Sequence, residues 1–503
     1  MEMNDMIKIV VNGESRTVSS GLTLSETVGG EKPCGGHGKC GKCKIVARGK
    51  LSDITEEEKK LLSSSELESG VRLACLTRAI GDCEIETIAS SAEAQIVTVG
   101  AGVGFDLKPI FEKYGAAIDI GTTTLAARLY DVSGRIIAEH SRLNPQSEYG
   151  ADVISRIEAS MKGNSDLLAE SIISALDGII ADLSIEAKIS PNEIDCVVIT
   201  GNTVMLSLLT REDVEPFSHA PFEAKRLFGE ILSAEKLGLV SLDSCTKIYL
   251  PPCISAFVGA DTVCALIATD LCARDCAMLA DIGTNGEMAL RYKDTLTVCS
   301  TAAGPAFEGV GISMGMRGAV GAIDRVAFAD GKLEAHVIGG GKAVGICGSG
   351  LVDAAAAMLE GDIIDETGFL EDDPFLLKDS VSLCGKDVRM LQLAKSAICA
   401  GLGTLAEESG LDTDDVPLLY IAGGFGNYLN KDSAAMIGML PRSLAERSKT
   451  VGNAALSGAS MLLLNSEKIE EAQNIILNAR TLDLSANKGF SEKFMMGMIF
   501  EEI

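Results

Sequence analysis

The sequence predicts a multidomain protein of mixed α+β and α/β class, with a small β-rich module at the amino terminus and a larger α/β part made of two related lobes. Three observations carry this expectation. The chain has 503 residues, enough for two to four domains that each bury a core. Residues 6–88 alternate short apolar strands with turns and brief helical stretches. Beyond residue 115, an apolar strand that runs into Asp-Ile-Gly-Thr and then into a second strand occurs twice.

Composition narrows the function classes. With 47% hydrophobic and 23% charged residues the chain reads as globular, not disordered, and no charge-free run reaches the roughly 18 residues of a membrane span. A net charge of −27 sets phosphate-backbone binding against strong repulsion, so no nucleic-acid partner is expected. The start, MEMNDMIKIVVNGE, has acids and a turn where a signal peptide needs a basic beginning, so a cytoplasmic location and no membrane partner are expected. Fifteen cysteines in such a chain do not read as a disulfide framework. The four histidines, His37, His140, His219 and His336, are scattered, which removes support for imidazole-rich metal sites and Ser-His-Asp chemistry.

The amino-terminal module follows an order that can be justified piece by piece. IKIVV (7–11), the Asn12-Gly13 turn and a short second strand form a hairpin. LTLSETV is helix-like, a glycine-rich loop follows, and CKIVARG is a strand. TEEEKKLL is helical and acidic; RLACLT and the closing strand CEIETI complete a β-grasp order. Residues 93–114 read as a linker, and Gly100, Gly102 and Gly104 as turns within it, because the rest of a dinucleotide fingerprint is missing.

Within this module Cys34, Cys40 and Cys43 are spaced C-x5-C-x2-C, and Cys75 follows after 31 intervening residues. Four thiolates, three from one loop and one from a distant strand end, are what a [2Fe-2S] cluster needs. Gly35, Gly36, Gly38 and Gly41 let the backbone wrap closely around sulfur. Pro33 to Arg48 carries Lys39, Lys42, Lys44 and Arg48 and no acid, a basic island on an acidic chain. Zinc is the rival occupant, since thiolates suit it equally, but structural zinc sites usually pair two close knuckles and here there is one. Cys83 alternates with Ile85 along a strand and is expected in the core. CGGHGKCGKC followed by RLACLT resembles the [2Fe-2S] ferredoxins over roughly the first 90 residues.

In the larger part, AIDIGTTTLAARLYD (117–131) and LADIGTNGEMALRYKD (279–294) are one hairpin design used twice. CVVITGNTVM (196–205) and LYIAGGFGNYL (419–429) each place a glycine turn between an apolar strand and an expected helix, in the same order. No Walker G-x4-G-K-[ST] is present. A Gly-Thr turn instead points N–H groups and hydroxyls at phosphate oxygens, while the strand-end carboxylate holds Mg2+, commonly through water. The pattern resembles the superfamily of actin, hexokinase and acetate kinase, in which duplicated ribonuclease-H-like lobes surround ATP. The resemblance implies that Asp119, Gly121, Thr122 and Thr123 form the first phosphate loop and Asp281, Gly283, Thr284 and Asn285 the second. Glu287 stands where an acid orders water or Mg2+, or is a surface carboxylate. Gly423 and Gly424 of IAGGFG match the adenosine motif, and Gly348 and Ser349 of GICGSGLVDAAAAML form a turn before a helix that favours an anion or serves close packing. No basic cluster beside these loops marks a sugar or acyl acceptor site.

A [2Fe-2S] module (1–92), a linker (93–114) and two ATPase lobes (115–275 and 276–503, the second with a carboxy-terminal return to the first) together resemble the reductive activators of corrinoid proteins. LPPCISAFVGADTV (250–263) and STAAGPAFEGVGISMGMRGAV (300–320) look like that family's signatures. The resemblance implies ATP-dependent one-electron reduction of Co(II) to Co(I) in a corrinoid protein of a methyltransferase system. It also implies a [2Fe-2S] cluster, ATP and Mg2+, and a reduced donor such as a ferredoxin or flavodoxin; a homodimer is compatible with it. An ATP-gated donor to another low-potential enzyme and a redox-regulated small-molecule kinase are the alternatives; a screen for phosphorylated metabolites separates the kinase from the activator. The other cysteines, among them Cys253, Cys272, Cys276 and Cys347, are expected as core thiols, with Cys272 and Cys276 one helical turn apart.

Overall fold

The computed structural model describes residues 6–11, 14–28, 43–63, 66–67, 69–87 and 106–503. The chain divides into two compact units, Met1–Ala92 and Glu93–Ile503. Cys34, Cys40, His37, the cluster-loop glycines, Lys39, Lys42 and Gly100, Gly102 and Gly104 lie outside the described residues.

In the first unit, strands β1 (Met6–Val11), β2 (Glu14–Ser19), β3 (Lys44–Leu51), β4 (Val71–Leu73) and β5 (Ala79–Thr87) pair in the order β2-β1-β5-β3-β4, with β1 and β5 parallel. Helices α1 (Leu24–Val28) and α2 (Glu56–Leu61) lie between strands in the chain. Alternation decides the core: Ile7, Ile9 and Val11 of β1 are buried against Cys83 and Ile85 of β5, which puts the Cys83 thiol among apolar side chains.

The second unit is built on two six-stranded sheets. The first contains β6 (Tyr114–Ile120), β7 (Thr124–Asp131), β8 (Ile136–Leu143), β9 (Ile194–Gly201), β10 (Glu230–Ser233) and β11 (Lys247–Leu250), in the order β10-β11-β9-β6-β7-β8. Its helices include α3 (Val153–Ala159), α4 (Ser165–Ala187), α5 (Thr203–Leu209) and α6 (Ala260–Thr269). The second sheet uses β12 (Cys276–Ile282), β13 (Gly286–Tyr292) and β14 (Thr295–Thr301). After an excursion through β15 (Ala322–Ala329), β16 (Lys332–Val337), β17 (Gly345–Ile346), α7 (Gly348–Glu360), the ribbon β18 (Phe375–Lys378) and β19 (Val381–Leu383), and α8 (Gly385–Glu408), the chain returns to it. There it adds β20 (Leu419–Ala422), β21 (Ser448–Gly452) and β22 (Ala479–Thr481), in the order β21-β20-β12-β13-β14-β22. In each sheet an antiparallel meander of three strands is flanked by two parallel strands beside its first member, the duplicated ribonuclease-H-like arrangement.

Between the sheets lie α6 and α9 (Ala454–Leu464), the latter buried along its whole length. Their shared core includes Ala117 and Val198 from the first sheet and Leu279 and Val298 from the second. The helices approach closely because residue 458 is glycine: a Cβ there would sit 1.9 Å from Cys264 O. The carboxy-terminal part of the chain thus packs on the first sheet as well as the second.

Residues 106–113, expected as the end of a linker, are instead tied down. Lys108 and Ile110 N–H donate to Leu464 O and Leu463 O at 2.9 and 3.0 Å, and Asp195 accepts from the Glu112 and Lys113 N–H groups. No helix among the described residues is long and apolar enough to cross a membrane. Two expectations about the spare cysteines change: Cys245 is exposed, and Cys272 lies in a short 3₁₀ turn while Cys276 opens β12, so they do not share a helix.

Candidate functional site

Both Asp-Ile-Gly-Thr segments form the same local structure. Asp119 and Ile120 end β6, and Gly121 N–H closes the turn on Thr124 O at 3.0 Å; Asp281 and Ile282 end β12, and Gly283 N–H closes on Asn285 O at 3.0 Å. The two turns face one cavity of about 290 Å³ between the lobes. It is lined by Asp119, Gly121, Thr122, Thr123, Asp281, Gly283, Thr284, Asn285, Glu287, Gly348, Ser349, Gly423 and Gly424, so every residue expected at a nucleotide site borders it.

The floor is acidic. Asp119, Asp261, Asp281 and Glu287 are enclosed by protein except where they meet the cleft. Burial raises the Asp119 pKa to about 7, with the hydrogen bond from Asn453 opposing and Asp261 adding. Burial, then Asp261 and Asp119, raise Asp281 to about 7. Asp261 is pushed up to about 6 by burial, and Glu287 well above the usual carboxylate range by burial and by Asp261 and Asp281. Glu287 is therefore no surface carboxylate. Among the described residues no three acidic, imidazole or thiol groups come close enough to bind a metal ion alone. That donor set fits Mg2+, which takes one or two carboxylates and completes its shell with phosphate and water oxygens.

The first turn is braced from behind. Asn144 Nδ2 donates to Gly121 O at 2.9 Å, and Asn144 N–H to Thr123 O at 3.0 Å. Arg156, fully buried, donates to Gly150 O at 3.0 Å and to Thr122 O. Residues far away in sequence reach in from the cleft side: Asn453 Nδ2 donates to Asp119 Oδ2 at 2.9 Å, and Arg317 donates to Thr123 O at 3.3 Å. Glu308 accepts from Thr284 Oγ1 at 2.8 Å and from Thr123 Oγ1. Arg317 lines the cavity and Arg156 backs it, and each donates to a backbone carbonyl of the first turn. Asp261, Glu308 and Arg317 fall inside the two longer stretches quoted from the sequence, where nothing local distinguishes them; Arg156 and Asn453 carried no signal.

At the far end, the two glycines of IAGGFG differ. Gly423 has φ +96°, and a Cβ would meet Ile282 O at 2.5 Å, so this glycine lets β20 lie against the second hairpin. A Cβ at Gly424 would meet nothing within 4 Å, which leaves its backbone open to a ligand. The helix expected directly after this motif is a 3₁₀ turn, Gly426–Tyr428. Gly348 begins α7, where a Cβ would lie 1.9 Å from Phe307 O, and Ser349 Oγ donates to Asp324 O at 3.0 Å. Both therefore have a packing role besides bordering the cavity.

In the first unit, Cys43 and Cys75 place their sulfurs 3.2 Å apart. That is far longer than a disulfide bond, so these are two thiols standing side by side. Cys75 follows β4 in a turn closed by Leu76 and Thr77 N–H groups on Leu73 O. Buried Glu58 anchors that turn, accepting from Leu73 N–H at 3.1 Å, Thr77 Oγ1 at 2.9 Å and Arg72 at 3.0 Å. Of the basic residues of the loop, Lys44 is paired with Glu66 at 2.7 Å.

Comparison with known proteins agrees across the chain. The family descriptions "RACo middle region" and "C-terminal domain of RACo the ASKHA domain" match residues 114–274 and 275–502. A corrinoid activation enzyme RamQ from Eubacterium limosum is 34% identical over 432 residues, 78% of this chain and 71% of its own. A [Co(II) methylated amine-specific corrinoid protein] reductase from Methanosarcina barkeri is 27% identical over 416 residues, 76% of each chain. A solved reductive activator for corrinoid,iron-sulfur protein superposes with a TM-score of 0.74 at 26% identity, covering 99% of this chain and 98% of that one. From the paired hairpins to these likenesses over three quarters or more of its length, the chain belongs to the RACo family of reductive activators of corrinoid proteins.

Proposed function

We propose that this protein reduces the cobalt of a corrinoid protein from Co(II) to Co(I), one electron at a time, with ATP binding and hydrolysis coupled to the transfer, in support of corrinoid-dependent methyl transfer. The observation that carries the reading is the joining in one chain of a thiol pair set 3.2 Å apart with a cleft walled by two Asp-Ile-Gly-Thr hairpins. A [2Fe-2S] cluster held by Cys34, Cys40, Cys43 and Cys75 supplies single-electron transfer when bound. A reduced ferredoxin or flavodoxin is the donor class that fits it, and the acting unit is a monomer or a homodimer.

In the cleft, the N–H groups of Thr122, Thr123, Thr284 and Asn285 and the threonine hydroxyls bind the β- and γ-phosphate oxygens, while Gly121 and Gly283 close the two turns that present them. Asp119 and Asp281 would hold Mg2+, which would supply positive charge against the phosphates. Glu287, whose raised pKa follows from burial among acids, orders the attacking water. Gly348 and Ser349 border the phosphates at the start of α7, and Gly423 and Gly424 bring β20 and its turn against the adenosine. Water is the acceptor, since no side chain here serves as a nucleophile towards phosphate.

Coupling is needed because Co(II) reduction is uphill from an ordinary iron-sulfur donor, where about 59 mV costs tenfold in the one-electron equilibrium. Nucleotide-driven closure of the lobes on the docked partner offsets several such factors. The test mixes reduced protein with a Co(II) corrinoid protein, with and without Mg2+·ATP, and follows Co(I) absorbance. ATP-dependent growth of that band is expected. Growth independent of ATP, or none with several corrinoid partners, removes the reading.

A further inference from the structure

Glu308 holds a place that phosphate binding by the hairpins leaves unexplained. It ends the 3₁₀ turn Pro305–Glu308, which is fastened to the second hairpin by Gly304 N–H donating to Thr284 O at 2.9 Å. Its two carboxylate oxygens are divided between the lobes: Oε1 accepts from Thr284 Oγ1 at 2.8 Å and Oε2 from Thr123 Oγ1. Both donors are hydroxyls of the phosphate turns. A carboxylate spanning them uses the same hydrogen bonds that two oxygens of a terminal phosphate would use, and carries the same sign of charge. The two anions cannot share those donors without repulsion.

We propose that Glu308 is the terminal-phosphate sensor of the cleft: its carboxylate bridges Thr123 and Thr284 until the third phosphate of a nucleoside triphosphate displaces it, while a diphosphate leaves the bridge in place. The proposal rests on the reading of the cleft as an ATP site and adds to it how triphosphate is told from diphosphate. The turn is suited to move as a unit, because glycines at φ +78° (Gly304) and +74° (Gly309) bound it. Its exit leads to the segment that grips the first hairpin: a Cβ at Gly309 would lie 2.5 Å from Met316 O, and the next residue, Arg317, donates to Thr123 O. Displacement of Glu308 is therefore felt at the same threonine through two paths.

The test is calorimetric titration of the full-length, cluster-loaded protein with Mg2+·ADP and with a non-hydrolysable ATP analogue, in wild type, Glu308→Gln and Glu308→Ala. Removing the charge removes the competitor, so both variants should bind the analogue about tenfold more tightly, a gain of about 1.4 kcal/mol, while ADP affinity stays within about twofold of wild type. Glutamine keeps the shape of the side chain, so the result does not depend on the alanine variant folding. An unchanged or weakened preference for the analogue over ADP in the glutamine variant overturns the sensor and leaves the ATP reading standing. Failure of the wild type to bind either nucleotide overturns the ATP reading, and the sensor with it.

Discussion

Glu58 in the first unit and Asp281 in the second are both carboxylates withdrawn from bulk water, and their acidities move in opposite directions. Burial alone would raise the Glu58 pKa, but hydrogen bonds from Arg72, Thr55, Leu73 and Thr77 outweigh it and bring it down to about 2. Burial raises Asp281 to about 7, and its charged neighbours, Asp261 and Asp119, push the same way. Glu58 is complete: each oxygen has donors, and the group holds a turn in shape. Asp281 sits among like charges around a cavity, which is stable only where something positive, or a proton, comes to it. Burial of an acid thus says little about function until its neighbours are counted.

The largest test of that contrast is Glu58→Ala. Breaking one side of a buried ion pair leaves the Arg72 charge stranded and costs about 3–5 kcal/mol. Thermal unfolding of the full chain should show the first unit melting earlier, with loss of the iron-sulfur absorbance as the Cys75 turn loses its anchor; an unmoved transition would mean that Glu58 is dispensable. Asp281→Asn should do the reverse. Stability is held, because a neutral amide relieves crowding among the acids, while the metal role proposed for Asp281 predicts that phosphate release from Mg2+·ATP drops about 10–100-fold. A stability loss matching that of Glu58→Ala would erase the distinction between the two carboxylates.

A pH series sharpens the same point. The Glu58 pKa is lowered on folding, from 4.5 to about 2, so its contribution is fully present above the unfolded value and is lost as pH falls through that window. The melting temperature of the first unit should decline steeply between those values in wild type and more gently in Glu58→Gln. The smallest effect belongs to Lys44→Ala. Its ion pair with Glu66 is about one-third exposed on both sides, and such pairs contribute about 0–1 kcal/mol. A shift comparable to that of Glu58→Ala would show that this pair, not Glu58, organises the module.

Legibility from sequence followed the range of the interactions. The two hairpins were readable because Asp-Ile-Gly-Thr between apolar strands encodes its own turn, and the fold repeats it in both sheets. Gly423 and Gly424 looked equivalent as letters; one packs against Ile282 and the other faces open space, a difference that exists only once β12 lies beside β20. The partners of the first turn were unreadable for the same reason. Asn453 reaches Asp119 across 334 positions of chain, and Glu308 reaches Thr123 across 185.

Spacing, alternation and turn chemistry are local properties, and from them the order of modules, the cysteine motif, the duplicated hairpins and the family likeness could all be read directly. Folding alone settled which of the buried acids is satisfied and which is not. A carboxylate's proton affinity depends on the water it loses and the charges it meets, and here both are set by side chains brought from distant parts of the chain to within a few ångströms.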